Sequence, residues 1–177
     1  MTLDKFTKNN LTFEIHQATA ENREQINQLM HETATWLKNA GSTQWNDILE
    51  GSDVHQIGER IHQNEVFLLT QGKETVGTMI VRKTPSSWDN NLWGEKAKET
   101  AYYVHRLMIS RTYKGMELAN KMLQFAEKQA ALKGVPYLRL DTLATNVALN
   151  RLYSQTFTFL FSKDGYALYE KQVEPLK

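Results

Sequence analysis

A chain of 177 residues with 41% hydrophobic side chains has the length of one domain, in which roughly 70% of the unfolded surface can be buried. It contains no cysteine, which excludes thiolate nucleophiles, cysteine-ligated zinc, iron–sulfur clusters and CxxC redox chemistry. With 21 Lys and Arg against 20 Asp and Glu the formal charge is +1, so no electrostatic footprint for nucleic acid or an anionic membrane exists and a small partner is expected.

The first eight residues carry Asp4, Lys5 and Phe6 but no apolar signal core, and nowhere do about 18 apolar residues run together. A soluble, cytoplasmic protein is expected. Leu11, Phe13 and Ile15 alternate with polar residues, the period of a half-buried strand. Thr19 can cap a helix over Ala20 to Ala40, in which Ile26, Leu29, Met30, Thr33, Trp36 and Leu37 form the apolar stripe and Gly41 the stop. After the polar turn Gln44-Trp45-Asn46-Asp47, a shorter helix is predicted over Asp53 to Gln63, with Val54, Ile57 and Ile61 on one face and Asp53 and Gln56 spaced as a capping box.

Val66 to Thr70 and Val76 to Arg82 read as an antiparallel pair joined by Gln71-Gly72-Lys73-Glu74. Thr84 to Lys98 is aperiodic and reads as a long loop. A fourth strand is predicted over Ala101 to Ile109. A strong helix follows over Gly115 to Lys133, burying Leu118, Met122, Phe125, Ala126 and Ala130 and ending at Gly134-Val135-Pro136. Then come a strand over Tyr137 to Leu143, a short helix over Val147 to Gln155, and two strands, Phe157 to Phe161 and Tyr166 to Glu170. About seven strands and about four helices in this order predict a single α/β domain with one mixed sheet, because a meander is combined with two strand–helix–strand crossovers.

Two strand-to-helix turns can carry chemistry. In the first, Leu107 to Asn120, unpaired backbone N–H groups and the positive end of the helix dipole suit a pyrophosphate, and Lys114 adds a charge. It lacks the spacing of a P-loop or a dinucleotide fold, and an ordinary connection has the same composition. In the second, Asn146 and Asn150 lie one helical turn apart with Tyr153 three further on. Such a row offers amides to an extended ligand and a phenol as proton donor; the other reading is an Asn cap and a core tyrosine.

Together these turns resemble the GNAT superfamily of acyl-CoA-dependent N-acyltransferases, in the manner of its bacterial branch. Tyr113-Lys114-Gly115-Met116-Glu117-Leu118-Ala119 is similar to the family's pyrophosphate-binding turn, and Asn146 through Tyr153 followed by Phe157 is similar to its asparagine–tyrosine helix. The element order agrees over residues 11 to 170. The resemblance implies a GNAT-like fold spanning the chain, acetyl-CoA as cosubstrate with no metal, and action as a monomer or homodimer. By position it assigns the backbone at Leu107 and Ile109 to the acyl group. The backbone at Lys114, Gly115, Met116, Glu117, Leu118, Ala119 and Asn120 falls to the pyrophosphate, Asn146 and Asn150 to the pantetheine, and Tyr153 to the role of general acid at the sulfur. Glu117 replaces the family's second glycine, which places a carboxylate near the phosphates unless it points outward, and Thr156 replaces the glycine before Phe157.

Direct transfer needs a neutral amine, and an amine of pKa near 10 is only about 0.1% neutral at pH 7. His105 shares parity with Tyr103, Leu107 and Ile109 and is the candidate base; a water relay or a carboxylate would serve instead if the histidine is only a satisfied strand residue. Trp45, Trp88 and Trp93 lie in polar surroundings and are candidates for the acceptor pocket, whereas Trp36 fits the core stripe. His55, Glu59 and His62 share one face of the second helix, but one short helix rarely completes a zinc site and no metal is expected. The sequence thus predicts transfer of an acetyl group from acetyl-CoA to a primary amine of a small molecule or peptide. The alternative is a non-catalytic module of the same fold that binds coenzyme A or a protein.

Overall fold

The computed structural model describes residues 1–176, and eight strands and six α-helices are found there. The fold is mixed α/β as expected, with one strand more than the seven predicted. The extra strand is β1 (Thr2–Lys8), paired antiparallel with β2 (Leu11–Gln17). Asn9 and Asn10 between them take φ of 50° and 64°, the left-handed pair that a two-residue hairpin turn requires. Its half-buried positions, Asp4, Phe6 and Lys8, alternate with exposed ones, but only one of the three is apolar, so no apolar alternation reveals the strand.

The chain forms two compact units, the first from Met1–Val81 and Arg106–Leu123, the second from Arg82–His105 and Gln124 onward. In the first unit a 3-10 turn (Ala20–Asn22) capped at Thr19 leads into α1 (Arg23–Asn39), which Gly41 ends with φ of 87°. The polar turn holds a short helix, α2 (Asn46–Leu49), and the second predicted helix shrinks to α3 (Ile57–His62). Asp53 accepts the Ile57 N–H at 2.9 Å, but Val54 is exposed and His55 precedes the helix, so the row His55, Glu59, His62 is not formed. The hairpin of β3 (Val66–Gln71) and β4 (Glu74–Arg82) follows. Ile26, Met30, Ile57, Ile61, Val66, Leu68, Ile80 and Met108 make the core, with Trp45 and Ile48 packed against it.

The segment read as a loop contains α4 (Ser87–Trp93), capped by Ser86, and a 3-10 turn (Gly94–Lys98). Next comes β5 (Tyr102–Ile109), which contributes to both units. Its second half lies beside β4: a Cβ at Gly77 would stand 3.1 Å from the Met108 carbonyl oxygen and 2.8 Å from the end of the Ile109 side chain, so any larger residue there would crowd β5. The buried stripe of α5 (Leu118–Leu132) is the one predicted. In the second unit β6 (Tyr137–Leu143) pairs parallel with β5 at Tyr102↔Leu138 and Tyr103↔Arg139. After α6 (Val147–Ser154), strands β7 (Thr158–Lys163) and β8 (Tyr166–Gln172) form a hairpin whose second strand pairs antiparallel with β6. The sheet order is therefore β1-β2-β3-β4-β5-β6-β8-β7. Among the described residues no helix is long and apolar enough to cross a membrane.

Candidate active site

His105 stands near the middle of β5, buried at 9% exposure. Its Nε2 lies 2.9 Å from Oδ2 of Asp89, on α4. The same oxygen accepts the backbone N–H of Ser86 at 3.0 Å and its hydroxyl at 2.9 Å, while the Asp89 N–H donates back to Ser86 Oγ at 3.1 Å. One turn of chain thus fixes the carboxylate from two sides. Asp89 is fully buried, and among the described residues its second oxygen has no hydrogen-bond partner. On β6, the half-buried Asp141 accepts the Trp88 indole N–H at 3.3 Å. Asp89, His105 and Asp141 present ligand-type atoms within 4.8 Å of one another. One pair of these atoms, His105 Nε2 and Asp89 Oδ2, is already joined by the hydrogen bond.

Burial disfavours charge on His105, but the Asp89 carboxylate and its hydrogen bond outweigh it, so the imidazole titrates above the ordinary histidine value. For Asp89 burial again opposes charge, and the histidine and the Ser86 bonds win, leaving it below the usual range. An ionised Asp89 can only accept, so Nε2 carries the proton. Asp141 goes the other way: burial raises it, Asp89 adds repulsion, and His105 and Trp88 only partly compensate. Two carboxylates beside one imidazole are thereby driven apart in acidity, the pattern of groups that manage protons.

Tyr153 projects from α6 and is buried against Tyr169, ring centroids 5.9 Å apart. Burial first, then the nearby Asp141 and Tyr169, push its phenol well above the usual tyrosine value and hold it protonated. Asn146 caps α6, accepting the Leu149 N–H at 3.0 Å. Asn150 donates to the carbonyls of Leu143 at 3.0 Å and Asn146 at 2.8 Å and accepts the Tyr169 hydroxyl at 2.6 Å. Its amide is used within the fold, where it ties the helix to the strand before it.

In the first unit, β5 passes through a 3-10 turn (Arg111–Tyr113) into α5, with Gly115 at φ of 82° and Glu117 at 58°. Glu117 thus occupies a left-handed position that glycine adopts without strain. Its side chain is exposed and accepts Lys8 Nζ at 2.9 Å, a bond that lowers its pKa. Arg106 has φ of 53°, so the alternation of β5 breaks immediately after His105 and the parity expected between His105 and Leu107 does not hold. The Arg106 guanidinium pairs with Asp47 and borders a cavity of about 270 Å³ whose apolar wall includes Met30, Ile48, Ile57 and Ile80.

Residues 26–159 match the Acetyltransferase (GNAT) family. A curated relative, the uncharacterized N-acetyltransferase YesJ of Bacillus subtilis (strain 168), is 35% identical over 158 residues, 88% of each chain. The chain belongs to the GNAT acetyltransferase family. It is an acyltransferase. A solved GNAT acetyltransferase of Listeria monocytogenes 4b F2365 is 45% identical, with a TM-score of 0.85 over 96% of this chain and 99% of that one. The PaiA N-acetyltransferase of Thermoplasma acidophilum, solved with coenzyme A, shares the fold at a TM-score of 0.72 and 16% identity, over 90% of this chain and 98% of that one.

Within this GNAT chain the tryptophans divide. Trp88 is 37% exposed, with its ring edge-on to Tyr166 at 4.7 Å, and it is the candidate whose polar atom reaches the carboxylate cluster. Trp93, expected at a pocket, is instead core at 2% exposure, packed with Leu92, Ala101, Tyr103 and Leu168. Trp45 is partly buried on the core of the first unit. Trp36, expected in the core, is 41% exposed, with the Arg111 guanidinium 3.7 Å over its ring. The helix turns Trp36 off the stripe that Ile26, Leu29, Met30 and Ala34 bury. Asp89 and Asp141 were not singled out from sequence. The signal for Asp89 was Ser86-x-x-Asp89, a capping box inside an apparent loop.

Proposed function

We propose that this acyltransferase moves an acetyl group from acetyl-CoA to a primary amine of a small molecule or peptide, as one functional domain, without a covalent enzyme intermediate. The observation that carries the reading is the buried His105 hydrogen-bonded to the Asp89 carboxylate in a chain of this family. The amine nitrogen attacks the thioester carbonyl, the C–N bond forms and the C–S bond breaks. His105 takes the proton the amine must lose. Tyr153, held neutral by burial, donates to the departing sulfur; its raised pKa makes it a strong keeper of its proton, so its contribution is a hydrogen bond tightening toward transfer. Backbone N–H groups at Leu107 and Ile109 stabilise the oxyanion.

In the first unit, backbone from Lys114 to Asn120 binds the pyrophosphate, as the coenzyme A complex of the PaiA neighbour encourages. Glu117 offers no charge conflict there, since Lys8 neutralises it. That pairing takes away one objection to coenzyme A binding, the carboxylate that Glu117 would place near the phosphates. In the second unit Asn146 and Asn150 serve the pantetheine by fixing the start of α6, and Trp88 faces the acceptor. The near-zero net charge supports a small acceptor over nucleic acid or a membrane surface. An acetyl-CoA donor suits a cytoplasmic enzyme acting as a monomer or homodimer.

The test is release of thiol from acetyl-CoA across a panel of amines, with coenzyme A also scored for stabilisation. At a hundred times its dissociation constant a native-state ligand adds about 2.7 kcal/mol. Tyr153→Phe should lower kcat by about 10²-fold while coenzyme A affinity stays nearly constant. Stabilisation by coenzyme A without thiol release from any amine would favour the binding module, and full kcat in Tyr153→Phe would leave the mechanism without its acid.

A further inference from the structure

Helix α4 delivers two consecutive side chains to one cluster: Trp88 bonds Asp141 and Asp89 bonds His105. A carboxylate that merely caps a short helix gains by having its free oxygen in water. Asp89 instead has both oxygens out of solvent, and Oδ1 has no hydrogen-bond partner among the described residues. Leaving such an acceptor buried is costly, and the Ser86 bonds to Oδ2 do nothing to reduce that cost. The cost is understandable if the carboxylate's place beside the imidazole matters more than its own solvation.

We propose that Asp89 is a positioning residue for the acyl transfer: it fixes the His105 ring through Nε2 and supplies the counter-charge for the imidazolium formed when His105 takes the acceptor's proton. The proposal rests on His105 being the base. The proton moves from the amine to the imidazole and stays there, because an Asp89 held below the usual carboxylate range does not take it. The other charged groups facing the ring are Asp141 on β6 and Arg82 at the end of β4. Asp141 is the weaker counter-charge, since burial raises its pKa and so disfavours its charged form. Arg82 opposes protonation. The ring's elevated titration is therefore assigned to Asp89.

Asp89→Asn keeps the shape and can still accept from Ser86 and His105, but it removes the charge. We expect kcat to fall by at least about tenfold, KM values to hold, and the acid limb of the kcat–pH profile to move to lower pH. The His105 ring resonances should titrate lower by NMR, with the other four histidines as internal controls, and Asp89→Glu should regain part of the rate. A fall in kcat with an unmoved pH profile would reduce Asp89 to a structural cap and overturn the proposal, as would an unchanged kcat. Should Asp89→Asn fail to fold, the wild-type ring titration decides: a midpoint at or below about 6.5 overturns the pairing. His105→Gln separates the layers. If it is fully active the base assignment itself has failed; if it is inactive while Asp89→Asn is normal, only the role of Asp89 has.

Discussion

Two buried polar clusters share the second unit, and they are built on opposite plans. Around Arg139, fully buried on β6, every guanidinium nitrogen is bonded: Nε to Glu170 at 2.8 Å, one terminal nitrogen to the Lys96 carbonyl at 2.8 Å and the Tyr103 hydroxyl at 3.0 Å, the other to Glu99 at 2.6 Å. Trp93 stacks on the guanidinium at 4.7 Å. Around His105, one carboxylate oxygen has no hydrogen-bond partner among the described residues, and a second carboxylate is pushed toward its neutral form. A saturated cluster has one stable protonation state and holds strands together. An unsaturated one has states close in energy, which is what proton transfer requires.

The largest effect should come from the saturated side. Arg139→Met keeps the volume but strands Glu170, which is mostly buried, and leaves the Tyr103 hydroxyl without its donor. Breaking a buried pair in this way costs about 3 kcal/mol or more, to be read as a lower urea midpoint. Turnover per folded molecule should survive. A loss of turnover with normal stability would erase the distinction between the clusters.

The second comparison is in pH. The folded pKa of His105 is raised above its unfolded value, so its contribution to stability is complete below about pH 6.5 and is lost as pH rises through the folded value. The slope is at most one proton, about 1.4 kcal/mol per pH unit. On the acid side Asp89, lowered, loses its contribution as pH falls through its folded value, whereas Asp141, raised, gains on acidification. Chemical unfolding at several pH values should show the neutral-range slope in wild type and in Arg139→Met, and its disappearance in His105→Gln. A slope that survives in His105→Gln would assign it to another group.

Legibility in sequence followed the same division. The α5 stripe and the limits of β6, Tyr137–Leu143, were readable because burial imposes a period. The edge strand β1 has a half-buried face on which Phe6 is the only apolar residue beside Asp4 and Lys8, and Asn9-Asn10 was its signal. Seven residues of α4 are too few to show a period, so the helix that carries Asp89 read as loop. His105 was visible as a candidate base, but its partners stand 16 residues away at Asp89 and, at Asp141, on another strand. Local pattern cannot report a contact made only by the fold. The parity argument failed at Arg106 for a related reason, since alternation holds only while the backbone stays extended.

The smallest effect is the most discriminating, because it perturbs the unsaturated cluster without replacing either member of the proton pair. Ser86 accepts the Asp89 N–H and donates both its N–H and its hydroxyl to Asp89 Oδ2. Ser86→Ala removes the two hydroxyl bonds and leaves the backbone one. Losing such a cap costs about 1 kcal/mol, visible as a small shift in the urea midpoint. Asp89 would then lose one of the bonds that stabilise its charged form, so its pKa should rise. Its carboxylate would also be freer to turn, and the His105 titration should move down by less than in Asp89→Asn. If both clusters were merely structural, the variant would lose stability and nothing else. A change in the acid limb of the kcat–pH profile larger than the stability loss accounts for would show that the cap at Ser86 tunes the base through two hydrogen bonds.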